Sequence, residues 1–346
     1  MTIISAVLFG SQVSGGSDRQ SDKDLLVICN SKNKKDAIKT YSSLGYNVSV
    51  YTPYQLESMR LQGSLFLQHL KHESQVLYDS GDTFKALIAK CDLIPPSFEE
   101  MERSRKSLLN ALSSPNSYVA SWWLADYLFV LSRDYFIKYF ARKRRVLFNV
   151  VQLTREIEQE FNLGKIEAET FLALRKCKSI YRSGIATGSQ VDQILLKWHD
   201  ILIRILGIPP VVRLSSKSYL FDRAIDGFES NYELLRYIES LRIMFPNVKC
   251  GKKHEAHVMR MILNPNHYSS TSVRGKKFLS LYLMQFREAA NKRVNTDCQK
   301  RPGFRFALKE KGPDPFIFQR PRVKGVRPLL SLQLIRRPVS RLIGLG

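Results

Sequence analysis

The first 95 residues alternate short apolar runs with amphipathic segments. The runs with the length and the β-branched and aromatic content of strands are Ile3–Phe9, Asp24–Cys29, Asn47–Tyr51 and Gln75–Tyr78. Lys34–Leu44 repeats apolar positions at helical spacing and ends before a glycine. Thr52–Gln55 has the spacing of a capping box, with proline at the first helical position, and opens a helix predicted to continue to about Lys71. This alternation predicts an α/β unit.

After Pro95-Pro96 the pattern becomes nearly all helical, up to about residue 295. Ser97–Glu100 again has capping-box spacing. The candidate helices are residues 98–112, 117–143, 146–161, 166–182, 189–206, 229–243, 252–262 and 273–291. We therefore predict an α+β protein with an α/β domain at residues 1–95, a helical domain at 97–295 and a C-terminal arm at 296–346.

Charge separates these segments. The net charge is +23, yet residues 1–100 carry 10 Lys/Arg and 11 Asp/Glu, residues 101–300 carry 33 and 18, and residues 301–346 carry 11 and 2. A strongly cationic surface attracts polyanions, so we expect RNA, DNA or an anionic protein as a partner. A solubilising surface is the alternative interpretation. In the arm, repeated prolines interrupt any helix.

The cysteines and the apolar runs bear on location. The five cysteines are odd in number and scattered, which argues against a disulfide framework. The longest apolar run, Tyr118–Leu131, is too short to cross a bilayer as a helix, and no secretion signal is apparent. We expect a cytoplasmic protein without a membrane partner.

Residues able to hold a nucleotide lie between the first two predicted strands. Gly10 lets the backbone approach a ligand, and Ser11 offers a hydroxyl and N–H groups to phosphate oxygens. Asp22 and Asp24 lie two apart at the start of a strand, so their side chains face one side about 6–7 Å apart. Carboxylates at that separation repel by roughly 2–3 kcal/mol at a surface-like dielectric, and a divalent cation between them removes the repulsion.

These residues resemble the motif of the polymerase-β-like nucleotidyltransferases, which is Gly-Ser, a spacer, then Asp-x-Asp. The segments Gly10–Gly16 and Ser21–Val27 are similar to the Gly-Ser-x-x-x-Gly-Gly and Ser-Asp-x-Asp-Leu-Leu-Val of the minimal and aminoglycoside-type members. The resemblance covers residues 3–80. It implies a nucleotidyltransferase fold for the first domain.

The resemblance also implies roles for the motif residues. Asp22 and Asp24 would be catalytic and would bind Mg²⁺, while Gly10, Ser11 and Ser21 would bind a nucleoside triphosphate. The activity it implies is transfer of a nucleoside monophosphate, AMP from ATP, to an acceptor hydroxyl. Because the remainder of the chain is cationic, RNA or protein is expected as acceptor ahead of a small molecule such as an aminoglycoside.

One departure from the family concerns its third carboxylate, which lies on the next strand and acts as base toward the attacking hydroxyl. The polar residues of that strand here are Asn47 and Ser49, which cannot accept a proton as a carboxylate does. Glu57 or Glu73, from the following helix, are the candidates to replace it. A missing acid puts turnover in doubt more than nucleotide binding, because nucleotidyl transfer depends mainly on positioning and charge neutralisation.

Other interpretations stay open. A degenerate nucleotidyltransferase could sense nucleotide or neutralise a toxin, or the helices and arm could form a nucleic-acid-binding module on an N-terminal scaffold. A helix rich in aromatic residues precedes Arg142–Arg145, where rings beside arginines could stack bases. Aromatic residues at helical spacing are more typical of a core. His69 and His72 are interpreted as surface or core residues.

Overall fold

A computed structural model describes residues 2–10, 13, 23–115, 117–224, 227–263 and 273–299. The predicted site residues Ser11, Ser21 and Asp22 lie outside the described residues, as does the C-terminal arm from residue 300 onward. The chain divides into two compact units, Met1–Asp297 and Cys298–Gly346. The first unit contains both the α/β and the helical segments, and the domain limits predicted from the sequence stay predictions.

A four-stranded mixed sheet forms the N-terminal part. Its strands are β1 (Ile3–Phe9), β2 (Asp24–Cys29), β3 (Asn47–Tyr51) and β4 (Ser74–Asp79), in the order β3-β2-β1-β4. Strand β1 is antiparallel to both β2 and β4, while β2 and β3 are parallel. The predicted strands are confirmed, and the first three have the predicted bounds.

Helices cover both faces of the sheet. Alternate residues of β2 point to opposite sides, so Leu25 packs in a cluster with Ala37 of α1 (Lys34–Ser43), whereas Leu26 packs with Leu56 and Leu70. Leu56 belongs to α2 (Pro53–Leu61) and Leu70 to α3 (Leu65–His72). Helix α4 (Thr83–Ala89) lies on the same face. The side chains on this face are therefore held by a sheet and three helices.

The single helix predicted from Thr52 to about Lys71 is wrong, because the chain breaks into α2 and α3. Its start is confirmed: Thr52 Oγ1 accepts a hydrogen bond of 3.2 Å from the backbone of Gln55. Gly63 has φ +69°, and a Cβ there would lie 2.5 Å from Cβ of Ile94. A left-handed glycine packed this closely ends one helix and redirects the next.

The rest of the described chain is helical. Its helices are α5 (Phe98–Leu112), α6 (Ser121–Arg142), α7 (Val150–Glu160), α8 (Lys165–Arg182), α9 (Gln190–Leu206), α10 (Ser216–Phe221), α11 (Asn231–Met244), α12 (Lys252–Leu263) and α13 (Val273–Gln299). The predicted α+β class is thus confirmed, with short helices α4 and α10 added. In the described part of the chain, no helix is long and apolar enough to cross a membrane.

Helix α6 forms the centre of the first helical core. Its aromatic side chains pack with α5, α7, α8 and α9, and Trp123, Phe136 and Phe140 are almost completely buried. These three rings are therefore core residues with no face open to a base, whereas Trp122 and Tyr139 of the same helix are partly buried. A second core joins helices α10 to α13.

The basic run at the end of α6 makes intramolecular contacts. Arg142 Nη1 donates to the carbonyl of Pro96 at 2.7 Å, and Arg144 Nη1 donates to that of Leu93 at 3.0 Å. Arg145 pairs with Glu156 of α7. These contacts fix the segment that connects the sheet to the helices.

Candidate functional site

A row of paired residues crosses the sheet at one end. Phe9 pairs with Asp24 of β2 and with Ser74 of β4, and Asp24 pairs with Asn47 of β3. Directly paired residues point to the same face of a sheet. Because Phe9 packs in the core beneath α2, α3 and α4, Asp24 and Asn47 lie at the edge of that face. Gly10 continues the chain from this row.

The backbone conformation and the close neighbours at position 10 require a glycine. Its φ of +83° favours glycine, and its N–H donates to the carbonyl of Glu73 at 3.0 Å. A Cβ at this position would lie 3.2 Å from Asp24 Oδ2 and 4.0 Å from His69 Cε1. The missing side chain therefore leaves room beside the carboxylate of Asp24 and the ring of His69.

Asp24 is half-buried and is oriented by its neighbour. Asn47 Nδ2 donates to Asp24 Oδ1 at 2.7 Å. Ser49 pairs with Leu26, two residues further along, so it lies on the same face as Asn47. The strand that carries a third carboxylate in the resembled family thus presents an amide that hydrogen-bonds to Asp24.

The two glutamates considered as a replacement differ in environment. Glu57 pairs with Arg60 of the same helix at 2.7 Å, and this hydrogen bond lowers the pKa of Glu57. Glu73 follows α3, next to Gly10, and its side chain is 14% exposed. Its Oε2 lies 3.2 Å from His69 Nε2. Of the two, Glu73 adjoins the site.

His69 is held on three sides. Besides its contact with Glu73, its ring stacks on Phe148 with centroids 4.6 Å apart and planes at 28°. Phe9 meets the same ring edge-on at 5.7 Å and 88°. The sequence analysis missed His69 as a site residue, although the i,i+4 spacing of His69 and Glu73 signals a contact on a helix.

A second missed residue is Arg133 of α6. Its Nη2 donates to the carbonyl of Phe148 at 3.0 Å, and its buried Nε has no hydrogen-bond partner within the described residues. Burial lowers the pKa of Arg133, and the carboxylates of Glu73 and Asp24 oppose this effect. The charge of this guanidinium, which comes from the helical part, is therefore influenced by the two carboxylates at the end of the sheet. No local pattern signals an interaction over this separation in sequence.

An open cleft of about 800 Å³ adjoins this cluster. It is bounded by the end of α3 and by the exposed side of α7, and its lining includes His72, Glu73, Phe148, Asn149, Gln152 and Arg155. Glu73 and Phe148, the residues that hold His69, thus form one wall of the cleft. The remaining lining is mostly polar and can hydrogen-bond to a ligand.

The carboxylate oxygens at this end of the sheet are ligands of the kind that Mg²⁺ prefers. This ion is typically bound through one or two carboxylates, substrate phosphates and water, so Asp24 can supply a ligand without a complete protein cage. No group of three or more His, Cys, Asp or Glu side chains able to hold a metal occurs among the residues that the structure describes. The motif partner Asp22 is outside that range.

The structure places five predicted site residues on one face of the sheet or at its end: Gly10, Asp24, Asn47, Ser49 and Glu73. It adds His69 and Arg133 to them. Ser11, Ser21 and Asp22 are outside the described residues. Comparison of the chain with known protein families, with characterised proteins and with solved structures returns no match.

Proposed function

We propose that this protein is a Mg²⁺-dependent nucleotidyltransferase that moves a nucleoside monophosphate, AMP from ATP, onto an acceptor hydroxyl. The observation that carries the proposal is the contact between Gly10 and Asp24 at the ends of two adjacent strands. A Cβ at Gly10 would lie 3.2 Å from Asp24 Oδ2, so the backbone and a metal-binding carboxylate border one space. The motif resemblance of Gly10–Gly16 and Ser21–Val27 supports the same assignment.

Each residue has a distinct role in this proposal. The absence of a side chain at Gly10 lets phosphate oxygens approach the backbone, with Ser11 and Ser21 completing the contact. Asp24, together with Asp22, would hold Mg²⁺, which supplies positive charge to the triphosphate. Arg133 supports binding of the same anion, because its buried Nε has no partner among the described residues and its charge interacts with those of Glu73 and Asp24.

The cleft beside Glu73 is the proposed acceptor site. Its volume of about 800 Å³ lies within the roughly 300–1,000 Å³ range of small-ligand pockets, so it can take one nucleotide or one side chain. Residues 101–300 carry 33 Lys/Arg against 18 Asp/Glu. A cationic helical segment together with a cleft that takes a single residue favours the end of an RNA chain over a protein side chain.

A binding protein without turnover is the second candidate function. The bond from Asn47 Nδ2 to Asp24 Oδ1 favours it, because an amide stands where the resembled enzymes carry a base. Such a protein would bind nucleotide and transfer nothing. The two candidates therefore differ in transfer and agree in binding.

Transfer is tested by incubating the protein with α-³²P-labelled ATP, Mg²⁺ and total cellular RNA or lysate protein. We expect label to enter RNA with the wild type and with Asp36→Asn, a substitution of an exposed aspartate on α1. Asp24→Asn should remove both transfer and Mg²⁺-dependent ATP binding in calorimetry. ATP binding without any labelled acceptor would support the binding protein, and no ATP binding by the wild type would contradict both candidates.

A further inference from the structure

We propose that His69, held by Glu73, is the general base that removes the proton from the acceptor hydroxyl. This inference rests on the proposed nucleotidyl transfer and names the group that replaces the third carboxylate. Asn47 cannot fill that role, because its amide nitrogen donates to Asp24 at 2.7 Å and carries no basic lone pair.

The hydrogen bonding of His69 sets which nitrogen is basic. Its Nε2 lies 3.2 Å from Glu73 Oε2, so Nε2 carries the proton and donates it to the carboxylate. Nδ1 then holds the lone pair, and it has no hydrogen-bond partner within the part of the chain that the structure describes. A carboxylate on one ring nitrogen and an open second nitrogen is the arrangement that general-base histidines use.

The ring is also fixed in direction. Phe148 stacks on one face at 4.6 Å and Phe9 meets it edge-on at 5.7 Å, so the imidazole cannot turn without losing two aromatic contacts. His69 is 16% exposed, so it is largely buried and still reached by solvent. A base held in one orientation loses little entropy on reaction.

His69 borders the same opening as the proposed metal ligand. Its Cε1, the carbon between the two nitrogens, lies 4.0 Å from the point where a Cβ of Gly10 would be, and Asp24 Oδ2 lies 3.2 Å from that point. On the other side, Glu73 and Phe148 line the cleft assigned to the acceptor. His69 therefore stands between the nucleotide side and the acceptor side of the site.

The acceptor oxygen forms a bond to the α-phosphorus of the nucleoside triphosphate, and its proton passes to Nδ1 of His69. The bond from the α-phosphorus to the bridging oxygen breaks, and pyrophosphate leaves with the electron pair. Glu73, a positioning residue, stabilises the imidazolium that forms. The positive charge of Arg133, from the helical part, interacts with the two carboxylates that flank the reacting groups.

Single-turnover transfer from labelled ATP to RNA tests this assignment. We expect His69→Ala to lower the rate of the chemical step by about 10²–10⁴-fold, with ATP affinity changed less than about twofold. Added imidazole should restore part of the rate of His69→Ala, because it can enter the space the side chain leaves. Glu73→Gln should also slow transfer without gaining from imidazole. Glu57→Gln, a matched change on α2, should leave the rate unchanged.

His69→Gln guards against a folding defect, since glutamine keeps a polar side chain of similar reach and cannot act as a base. Loss of rate in a His69→Gln protein that melts like the wild type supports the proposal. Wild-type transfer by His69→Ala overturns it and leaves the nucleotidyltransferase function standing. A loss of rate in His69→Ala that imidazole does not restore also overturns it. If the wild type transfers nothing to any acceptor, the proposed function fails first.

Discussion

At the scale of single residues, the site depends on small side chains and on one amide. Gly10 leaves space beside Asp24 that any Cβ would occupy at 3.2 Å. Asn47 donates to Oδ1 of the same aspartate at 2.7 Å, so one oxygen of the carboxylate is satisfied by a neutral neighbour. A carboxylate in place of Asn47 would instead demand a positive charge between the two strands.

Asn47→Asp is therefore expected to destabilise the metal-free protein by about 1–3 kcal/mol, since it replaces a hydrogen bond with repulsion between carboxylates. Mg²⁺ should recover much of this loss, because a cation binds both groups. Thermal melts with EDTA and with Mg²⁺ measure both effects. Ser49→Asp, two residues further along the same strand, is the control and should respond less to Mg²⁺. Equal melting of Asn47→Asp with and without Mg²⁺ would argue against a cation at Asp24.

At the scale of elements, the break between α2 and α3 positions the site. α3 carries His69 and leads into Glu73, and its direction is set at Gly63, which has φ +69° and packs against Ile94. A continuous helix over the same residues would carry His69 elsewhere. Tertiary contact with the segment after α4 therefore overrides local helix propensity here.

Gly63→Ala should cost about 2–4 kcal/mol of unfolding free energy, because left-handed backbone strain adds to a steric clash. The new Cβ would lie 2.5 Å from Cβ of Ile94. Gly45→Ala is a matched control: Gly45 has φ +82° but nothing within 4 Å of its Cβ position. It should show the backbone strain alone, about 1–2 kcal/mol. Urea denaturation of both variants separates strain from overlap. Equal losses would contradict a packing role for Gly63.

At the scale of the whole molecule, some basic side chains are engaged within the chain and others are exposed. The basic run at Arg142–Arg145 is engaged with backbone carbonyls and with glutamates of α7, so a polyanion must meet other cations. Exposed Lys252, Lys253 and Arg260 lie on α12, where the one acid of the first turn, Glu255, pairs with Arg242. This helix is the surface where we expect phosphate contacts.

The affinity for RNA should accordingly fall steeply as the salt concentration rises from about 50 to 200 mM. Over this range we expect a loss of a factor of about ten or more for every few phosphates contacted. Lys252→Glu, Lys253→Glu and Arg260→Glu together should lower affinity and reduce the slope of log affinity against log salt by about 1–3. Fluorescence anisotropy with single-stranded RNA measures both quantities. Lys85→Glu, an exposed lysine of α4, is the control. Binding without salt dependence would remove the polyanion proposal.

Local interactions explain what the sequence determined by itself. The first three strands, the capping boxes at Thr52 and Ser97 and the start and end of α5 follow from neighbours a few residues apart, and each has its predicted position. The motif residues Gly10 and Asp24 were also found this way, because they flank adjacent strands. Periodicity and capping are short-range effects, so they can be read from a single chain.

Only the tertiary structure decided which other residues join them. The ring contact of His69 with Phe148 joins separate elements. So do the electrostatic influence of Glu73 and Asp24 on Arg133 and the overlap that would arise between Gly63 and Ile94. Such contacts depend on how a sheet and helices pack, and packing involves residues far apart in sequence. The motif therefore predicted the nucleotide side of the proposed site, whereas the fold supplied the histidine, the arginine and the cleft.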